Sequence, residues 1–399
     1  MAQSIRVVDE KPLKKYIMSE PSLDTLIKDP SLEEIMINGP DLPVYVYHRD
    51  YGTCETNLVM TEEQILEVIL DLAAKMNDRI DQNKPFLDAR MADGSRLNAT
   101  IPPATPYGPT ITIRKFRENP FSIIDLINLG TVSIDLAVQL WLFVEGEKNN
   151  PSNMLIIGGA GGGKTTTLNV LSAFIPMEDR VVVIEDTLEL SFPERSNLIR
   201  MESKTGAHIG EEITMNDLLK NSLRMRPDRI IVGEVRGSEA ETLFNAMNIG
   251  HSAMGTLHAN SPSESIARLT NPPMRVPMNM LPLMDLIIVE QKIRSGSSLK
   301  RRITSMVEIQ KSAETGIAFS EIFSYSPKKD QISRTDVPMG KESELGELSG
   351  MTFQEMKQEK EEKKMILEFL LKNKINSFSK VQEVIQRYYV DPDSVLSRR

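Results

Sequence analysis

The sequence predicts an α/β fold built on a largely parallel β-sheet. Three short segments are almost continuously apolar: NMLIIGG at 153–159, RVVVIED at 180–186 and DRIIVGE at 228–234. Such runs are typical of strands that are buried on both faces, whereas strands with one solvated face alternate apolar and polar residues. A glycine-rich loop follows the first run, and the helical pattern TTTLNVLSAF follows the loop. Strands that alternate with helical patterns favour an α/β architecture.

The composition limits the kinds of protein that this sequence can form. A chain of 399 residues that is 40% hydrophobic is sufficient for two or three domains with large cores. The formal net charge of −9 disfavours general nucleic-acid binding, because phosphate backbones attract basic surfaces. The single cysteine, Cys54, excludes an intramolecular disulfide and a cysteine zinc site and fits the cytosol. Because no apolar run reaches the roughly 18 residues of a membrane span, we expect any work at a membrane to be done from its surface.

Residues 1–118 are predicted to form a smaller α/β domain. The apolar positions of EEIMIN and LPVYVYHR, on either side of the turn-rich NGPD, indicate strands. A helix follows in TEEQILEVILDLAAKMND, which begins with Thr61 and Gln64 at capping-box spacing. The segments GSRLNATIPP and GPTITIRKF indicate two more strands joined by a proline-rich loop. Residues 119–132 contain a proline and a glycine as breakers, so we expect an interdomain linker there.

Residues 133–330 are predicted to form the larger α/β domain, which contains the three apolar runs. Its first helix, IDLAVQLWLFVE, should stop near Gly146. Thr214 and Asp217 have the spacing of a capping pair, and the helix that they begin is expected to run to Pro227, which cannot continue it.

Residues 331–399 are predicted to form a linker and a helical C-terminal extension. The stretch PKKDQISRTDVPMGKESELGELSG is polar with glycine and proline, which indicates a loop. Thr352 with Glu355, and Ser379 with Gln382, are expected to cap two helices. The run EMKQEKEEKK has mixed signs of charge, so we interpret it as a solvated helix face and not as a nucleic-acid-binding tail.

The glycine-rich loop IIGGAGGGKTTT, residues 156–167, satisfies the pattern G-x-x-x-x-G-K-[ST]. Glycines let backbone N–H groups surround phosphates, and the following helix adds a partial positive charge. Lys164 can then reach the β- and γ-phosphates, and the Thr165 hydroxyl can bind Mg²⁺. A merely flexible turn would not need the strand, lysine, threonine and helix that accompany the loop. The predicted nucleotide-binding residues are Gly158, Gly159, Ala160, Gly161, Gly162, Gly163, Lys164, Thr165 and Thr166.

Three further segments carry candidate catalytic side chains at or near the ends of apolar runs. Glu234 in RPDRIIVGEVRG is placed to orient or deprotonate an attacking water, unless it is only a surface carboxylate. Glu185 and Asp186 in VVVIEDTLEL follow a strand, where ligands bind in open α/β sheets, although a turn or helix cap has the same pattern. His251 and His258 bracket the apolar run of GHSAMGTLHAN, and a structural role is the alternative for both.

These segments resemble the motifs of the secretion ATPases. GGAGGGKT, VIEDTLEL, RPDRIIVGEVRG and GHSAMGTLHAN look like that superfamily's phosphate loop, acidic box, second nucleotide motif and histidine box, in family order over residues 156–260. The superfamily includes type II and type IV secretion motors, pilus extension and retraction ATPases, and archaeal pilus and archaellum motors. INGPDLPVYVYHR and MLPLMDLIIVEQKIR are most similar to the archaeal branch, and YYVDPDSV resembles the archaellum motor. DARMADGSRLNATIPP and TITIRKF resemble the segment that supplies arginines to a neighbouring nucleotide, which points to Arg96, Arg114 and Arg117.

The resemblance implies a RecA-like P-loop ATPase domain behind a smaller N-terminal α/β domain, with a short helical C-terminal extension. It implies a homo-hexamer that binds ATP and Mg²⁺ and passes motion to a polytopic membrane platform protein of a pilus, archaellum or secretion machine. The protein would be cytoplasmic and peripheral to the inner face of the membrane, with no nucleic-acid partner. The implied catalytic residues are Glu234, Glu185, His258, Arg96 and Arg114, and the implied metal-binding residues are Thr165, Glu185 and Glu234.

Two other function classes remain open on the sequence. A RecA-like nucleic-acid translocase is disfavoured by the acidic charge and by the lack of a clustered basic stripe. A nucleotide-binding scaffold that does not hydrolyse ATP is disfavoured by the intact Lys164, Thr165 and Glu234.

Overall fold

The computed structural model describes residues 5–8, 14–49, 51–76, 78–116, 120–147, 150–204, 212–295, 298–312 and 316–396. The chain divides into two compact units, an N-terminal unit, Met1–Glu118, and a C-terminal unit, Asn119–Arg399. No helix of the described ranges is long and apolar enough to cross a membrane.

The N-terminal unit is a β-sheet that packs against two helices. Its elements are β1 (Ile5–Val8), β2 (Lys14–Met18), α1 (Leu23–Lys28), β3 (Leu32–Ile37), β4 (Pro43–His48), β5 (Gly52–Val59), α2 (Glu62–Lys75), β6 (Phe86–Arg90), β7 (Arg96–Thr100) and β8 (Thr110–Arg114). Within the described residues, the sheet has eight strands in the order β1-β2-β5-β4-β3-β8-β7-β6. The predicted capping box is confirmed, because Thr61 and Gln64 each bond the other's backbone at the start of α2. Leu26 of α1 and Ile65 and Ile69 of α2 are buried in the core of this unit.

The C-terminal unit contains all the remaining elements. Its strands are β9 (Met154–Ile157), β10 (Val181–Glu185), β11 (Leu198–Glu202), β12 (Arg229–Val235), β13 (Ser252–Leu257), β14 (Leu286–Ser295), β15 (Ser298–Ser312), β16 (Gly316–Ser326) and β17 (Gln331–Arg334). Its α-helices are α3 (Ile123–Asn128), α4 (Ile134–Glu145), α5 (Lys164–Leu171), α6 (Met215–Ser222), α7 (Glu239–Asn248), α8 (Pro262–Thr270), α9 (Gly340–Ser349), α10 (Phe353–Lys372), α11 (Phe378–Val390) and α12 (Pro392–Leu396).

The sheet of the C-terminal unit has nine strands within the described residues, in the order β11-β10-β12-β13-β9-β14-β15-β16-β17. The strands from β11 to β14 are parallel, and β14 to β17 continue the sheet antiparallel. The three apolar runs are β9, β10 and β12, so the prediction of a largely parallel sheet is confirmed. Both faces are covered: Met154 and Ile156 point into one core cluster, and Leu155 and Ile157 point into another.

Two helix boundaries differ from the sequence prediction. The capping box of Thr214 and Asp217 begins α6 as expected, but the helix ends at Ser222, because the chain turns there and Arg226 adopts a positive φ of 53° before Pro227. The prediction that Ser379 caps the last long helix is wrong. Helix α11 already begins at Phe378, whose side chain is buried in the core. By contrast, Thr352 with Glu355 caps α10 and Gly146 ends α4 in the left-handed conformation, as predicted.

The two predicted linker segments contain regular structure in the C-terminal unit. Residues 119–132 include α3, which begins with a capping box at Ser122 and buries Ile123 and Ile124. The polar stretch near residue 331, expected to be a loop, includes β17 and α9. Their apolar side chains explain the difference: Ile332 packs into the main core, and Leu345 packs with Leu142 of α4.

The charged run EMKQEKEEKK is not simply a solvated face, because it contains the fully buried Lys363. The Lys363 ammonium lies 3.0 Å from Glu145 and 3.4 Å from Glu147, and it also pairs with Glu359. The same ammonium lies 5.7 Å from the ring centroid of Trp141. Helix α10 therefore packs on α4 through an internal ion cluster, which the pattern of charges along the sequence did not reveal.

Replacing Lys363 with Met should lower the free energy of unfolding by about 3–5 kcal/mol, because carboxylates are left buried without their cation. Methionine keeps the length of the apolar stem, so the change isolates the charge. Urea denaturation at pH 7 measures the effect. The matched control is Lys364→Met, which removes a partly exposed pair with Asp135 and should cost less than about 1 kcal/mol. Equal losses in the two variants would contradict the assigned role of Lys363.

Candidate nucleotide-binding site

The structure gathers the candidate residues of the C-terminal unit along one edge of its sheet. In the strand order β10, β12, β13, β9, this edge carries Glu185, Glu234, His258 and Gly158, the first residue of the glycine-rich loop. The carboxyl ends of parallel strands meet at a common edge, and neighbouring strands are about 4.8 Å apart. Four sequence segments that are distant along the chain therefore border one site.

The glycine-rich loop follows a path that requires glycine. Gly163 precedes α5 with a φ of 118°, a left-handed conformation that side chains disfavour. A Cβ atom on Gly163 would lie 2.2 Å from Glu290 Oε1, and a Cβ atom on Gly158 would lie 2.0 Å from the Glu290 carbonyl oxygen. The loop thus packs directly on β14, and among the described residues no side chain caps the N-terminus of α5.

Lys164 is the first residue of α5 and folds back over the loop. Its side chain is largely buried, and Nζ donates a hydrogen bond to the Gly159 carbonyl oxygen at 3.2 Å. Burial lowers the pKa of Lys164, while the negative charges of Glu234 and Glu290 oppose that shift. The ammonium therefore lies over the loop, where phosphates would bind in a loop of this kind, and the charges of two carboxyl groups act on it.

Glu185 ends β10 as a buried carboxyl group with one unsatisfied oxygen. Its Oε1 accepts hydrogen bonds from the backbone N–H groups of Glu189 and Leu190 at 2.9 and 3.0 Å. Its Oε2 has no hydrogen-bond partner among the described residues, and the guanidinium of Arg200 is 3.9 Å away. Burial raises the pKa of Glu185 to about 7, although the two backbone hydrogen bonds favour the ionised form.

Glu234 is partly exposed at the end of β12 and is held by an arginine. Arg236, two residues further along the chain, forms an ion pair with Glu234 and lies 3.5 Å from Asp186. The strand itself is fixed, because Thr256 Oγ1 donates a 2.6 Å hydrogen bond to the Gly233 carbonyl oxygen. Arg236 stands within the same motif as Glu234 but was not predicted from the sequence.

The two histidines lie at opposite ends of β13. His258 follows Leu257 at the edge that carries the loop, and it is half-buried. His251 precedes Ser252 at the other edge, and its Nδ1 lies 3.1 Å from the Pro227 carbonyl oxygen. The contact supports the structural alternative for His251, and only His258 is positioned with the other candidates.

The donor set at this edge fits a magnesium ion. Mg²⁺ prefers carboxylate, hydroxyl and water oxygens. The unsatisfied Oε2 of Glu185 and the carboxylate of Glu234 are oxygens of that kind, and the hydroxyl of Thr165 stands in the first turn of α5. These three residues would hold the ion.

Three charged residues that touch the loop were not predicted from the sequence. Glu290 is almost completely buried beneath it, Arg301 donates from Nε to the Gly161 carbonyl oxygen at 3.1 Å, and a Cβ atom on Gly161 would lie 2.5 Å from Lys292 Nζ. A signal was present, because DLIIVEQKIR is an apolar run that ends in glutamate like VVVIED and IIVGE.

The candidate arginines of the N-terminal unit are neighbours in its sheet. Arg96 of β7 lies directly opposite Arg114 of β8, so both side chains emerge on one face. Arg96 also contacts Asp88 through Nε at 3.2 Å and through Nη2 at 2.9 Å. Arg114 is exposed, and Arg117 lies outside the described residues.

Comparisons with known proteins identify a family and several relatives that match most of this chain. A family model described as "Type II/IV secretion system protein" matches residues 19–333. An uncharacterized protein of Methanocaldococcus jannaschii is 32% identical, over 94% of this chain and 76% of the relative. The type IV secretion system protein VirB11 of Bartonella henselae is 27% identical, over 68% of this chain and 84% of the relative. Among solved structures, the pilus retraction motor PilT with bound ADP shares the fold at a TM-score of 0.51 and 18% identity, covering 83% of this chain and 89% of PilT.

Proposed function

The chain belongs to the type II/IV secretion system protein family, and we propose that it hydrolyses ATP to ADP and phosphate as the motor of a filament or secretion machine. One observation carries the proposal. The glycine-rich loop with its buried Lys164 and the carboxyl groups of Glu185 and Glu234 occupy the same edge of the parallel part of one sheet. Such an arrangement suits phosphoryl transfer, which needs positioning and charge stabilisation more than covalent chemistry.

Each residue has a distinct task in this proposal. Lys164 and the N–H groups of the loop bind the β- and γ-phosphates. Thr165, Glu185 and Glu234 would hold Mg²⁺, which supplies positive charge to the phosphate oxygens when it is bound. Glu234 first releases Arg236. Its carboxylate then orients the attacking water and takes a proton from it. His258 senses the γ-phosphate from the neighbouring strand.

The N-terminal domain supplies the candidate arginines Arg96 and Arg114. We propose that one or both of their guanidinium groups reach a γ-phosphate, held either by an adjoining subunit or by the chain's own ATPase domain. We propose the domains as a smaller N-terminal domain, 1–118, a connecting segment that contains α3, 119–132, a RecA-like ATPase domain, 133–330, and a C-terminal part, 331–399. Hydrolysis moves one domain against the other.

We further propose a homo-hexamer at the cytoplasmic face of the membrane, with no nucleic-acid partner. The ring passes its motion to a polytopic platform protein of a pilus-like, archaellum or secretion machine. The names of the relatives support this assignment: VirB11 is called a type IV secretion system protein, and PilT a pilus retraction motor. The relative in Methanocaldococcus jannaschii supports the assignment of this chain to the archaeal branch of the family.

Glu234→Gln tests the proposed chemistry. The amide keeps the size and hydrogen bonding of the side chain but cannot take a proton, so ATP turnover should fall by about 10²-fold or more while ATP still binds. Steady-state phosphate release and the binding of a fluorescent ATP analogue, both with Mg²⁺, measure the two effects. Glu241→Gln, on the exposed face of α7, is the matched control and should keep wild-type turnover.

Two results would contradict this assignment. If Glu234→Gln lost nucleotide affinity while its turnover at saturation stayed normal, Glu234 would act only as a metal ligand or a structural residue, and its role as the base would be refuted. If the wild-type protein bound ATP but released no phosphate with Mg²⁺, the chain would be a nucleotide-binding scaffold and not a motor.

A further inference from the structure

Glu290 places a carboxyl group directly beneath the phosphate loop. Strand β14 runs parallel to β9 with Val289 opposite Ile157, so Glu290 stands beside Gly158. The register of β14 with β15 shifts between Val289 and Glu290, and such a bulge re-aims the side chains around it. The Glu290 side chain is 1% exposed.

The surroundings of the Glu290 carboxyl group are polar and predominantly cationic. Its Oε2 accepts a 2.9 Å hydrogen bond from Thr167 Oγ1 in the first turns of α5. The charges of two cations, Arg301 of β15 and Lys164 of α5, act on the carboxyl group and lower its pKa against the effect of burial. On its own strand, Lys292 lies against Gly161 of the loop.

Glu234 and Arg236 complete the charged groups around Lys164. The carboxyl group of Glu290 is therefore a counter-charge for cations that a polyphosphate also needs. Two sets of negative charge cannot share those cations in a poorly solvated site without repulsion. Burial already raises the pKa of Glu290 to about 7, against the hydrogen bond from Thr167 and the charges of Arg301 and Lys164. Nearby phosphate charge would favour the protonated carboxyl group further.

We propose that Glu290 is a positioning residue whose negative charge is replaced by the charge of the nucleotide phosphates when they bind. Its carboxylate holds Thr167 and neutralises Lys164 and Arg301 while the loop is empty, and it takes up one proton from solvent when nucleotide phosphates bind there. The inference rests on the proposed nucleotide site and adds to it a coupling between nucleotide binding and pH. Because the nucleotide-bound state prefers the protonated carboxyl group, the affinity for nucleotide is highest below pH 7 and falls as the pH rises.

The test compares the affinity of wild-type protein and Glu290→Gln for ADP at fixed free Mg²⁺ between pH 6 and pH 8. Glutamine accepts from Thr167 in the same way but carries no charge. The ratio of the two dissociation constants removes the titration of ADP itself. The wild type should bind ADP as tightly as the variant at pH 6 and about tenfold more weakly at pH 8. The reason is that a single group with a pKa near 7 must take up a proton when ADP binds.

Glu308→Gln is the matched control, because Glu308 is another buried carboxyl group of the same sheet. It accepts hydrogen bonds from the backbone N–H groups of Gly340 and Lys341 at 2.9 and 2.6 Å, and it has no described contact with the loop. This variant should follow the wild-type affinity at every pH. A ratio for Glu290→Gln that does not change with pH, or weaker binding by that variant throughout, would overturn the inference.

If Glu290→Gln does not fold, the variant Thr167→Val can be used for the same pH comparison. It removes the donor that favours the ionised carboxylate, so it should bind ADP more tightly than the wild type at pH 8 and equally at pH 6. Identical pH profiles would overturn the inference. If the wild type binds no ADP even at pH 6, the proposed function fails as well. Normal binding with a flat ratio overturns only the role of Glu290.

Discussion

Lys164→Ala should abolish ATP turnover and weaken the binding of ATP and ADP. Lys164 supplies the positive charge that faces the β- and γ-phosphates, and its ammonium is already held over the loop by the Gly159 carbonyl oxygen. Loss of one such pre-positioned donor costs on the order of 10²–10³ in turnover, and the loss of affinity adds to it at low ATP. Phosphate release and ADP titration measure the two effects.

The control for this variant is Lys220→Ala, which removes an exposed lysine of α6 and should leave both measurements unchanged. Thermal unfolding must show that Lys164→Ala is folded. Near-normal turnover in a well-folded Lys164→Ala protein would refute the assignment of the loop as the phosphate site.

Arg114→Ala should reduce turnover by about 10³–10⁵-fold if Arg114 contacts the transferring phosphoryl group, because that is the effect of an arginine finger. Arg96→Ala should also reduce turnover, since Arg96 lies opposite Arg114 on the neighbouring strand. The alternative is a pair of surface arginines whose ion pairs contribute at most about 1 kcal/mol to folding. Arg49→Ala, which removes another exposed arginine of the N-terminal unit, is the matched control and should retain turnover.

Mixing the two inactive proteins distinguishes a finger that acts between subunits from one that acts within a chain. In a ring formed from Arg114→Ala and Lys164→Ala subunits, some interfaces pair an intact Arg114 with an intact Lys164. Part of the activity should then return. Energy transfer between labelled subunits must first establish that subunits exchange. If they exchange and no mixing ratio restores turnover, Arg114 acts within its own chain or the ring requires every site to be intact.

Much of the fold could be predicted from local sequence patterns. The apolar runs that became β9, β10 and β12 were identified because strands buried on both faces need continuous apolar residues. The capping boxes at Thr61, Thr214 and Thr352 were identified because both partners stand within four residues of each other. The family was identified from the order of the four motifs, and the matched family model agrees.

What the sequence determined by itself is therefore local: three buried strands, the glycine-rich loop and the capped starts of α2, α6 and α10, each encoded by residue spacing over a few positions. Tertiary structure decided which distant residues meet. Thr167 and Glu290 form a buried hydrogen bond although they are 123 residues apart in the chain, because the strand order places β14 beside β9. Lys363 is buried because α10 packs on α4. Glu145 of α4 forms an ion pair with the Lys363 ammonium. A charged side chain has the same local pattern whether it is solvated or paired, and only the packing of distant elements supplies the partner that makes its burial possible.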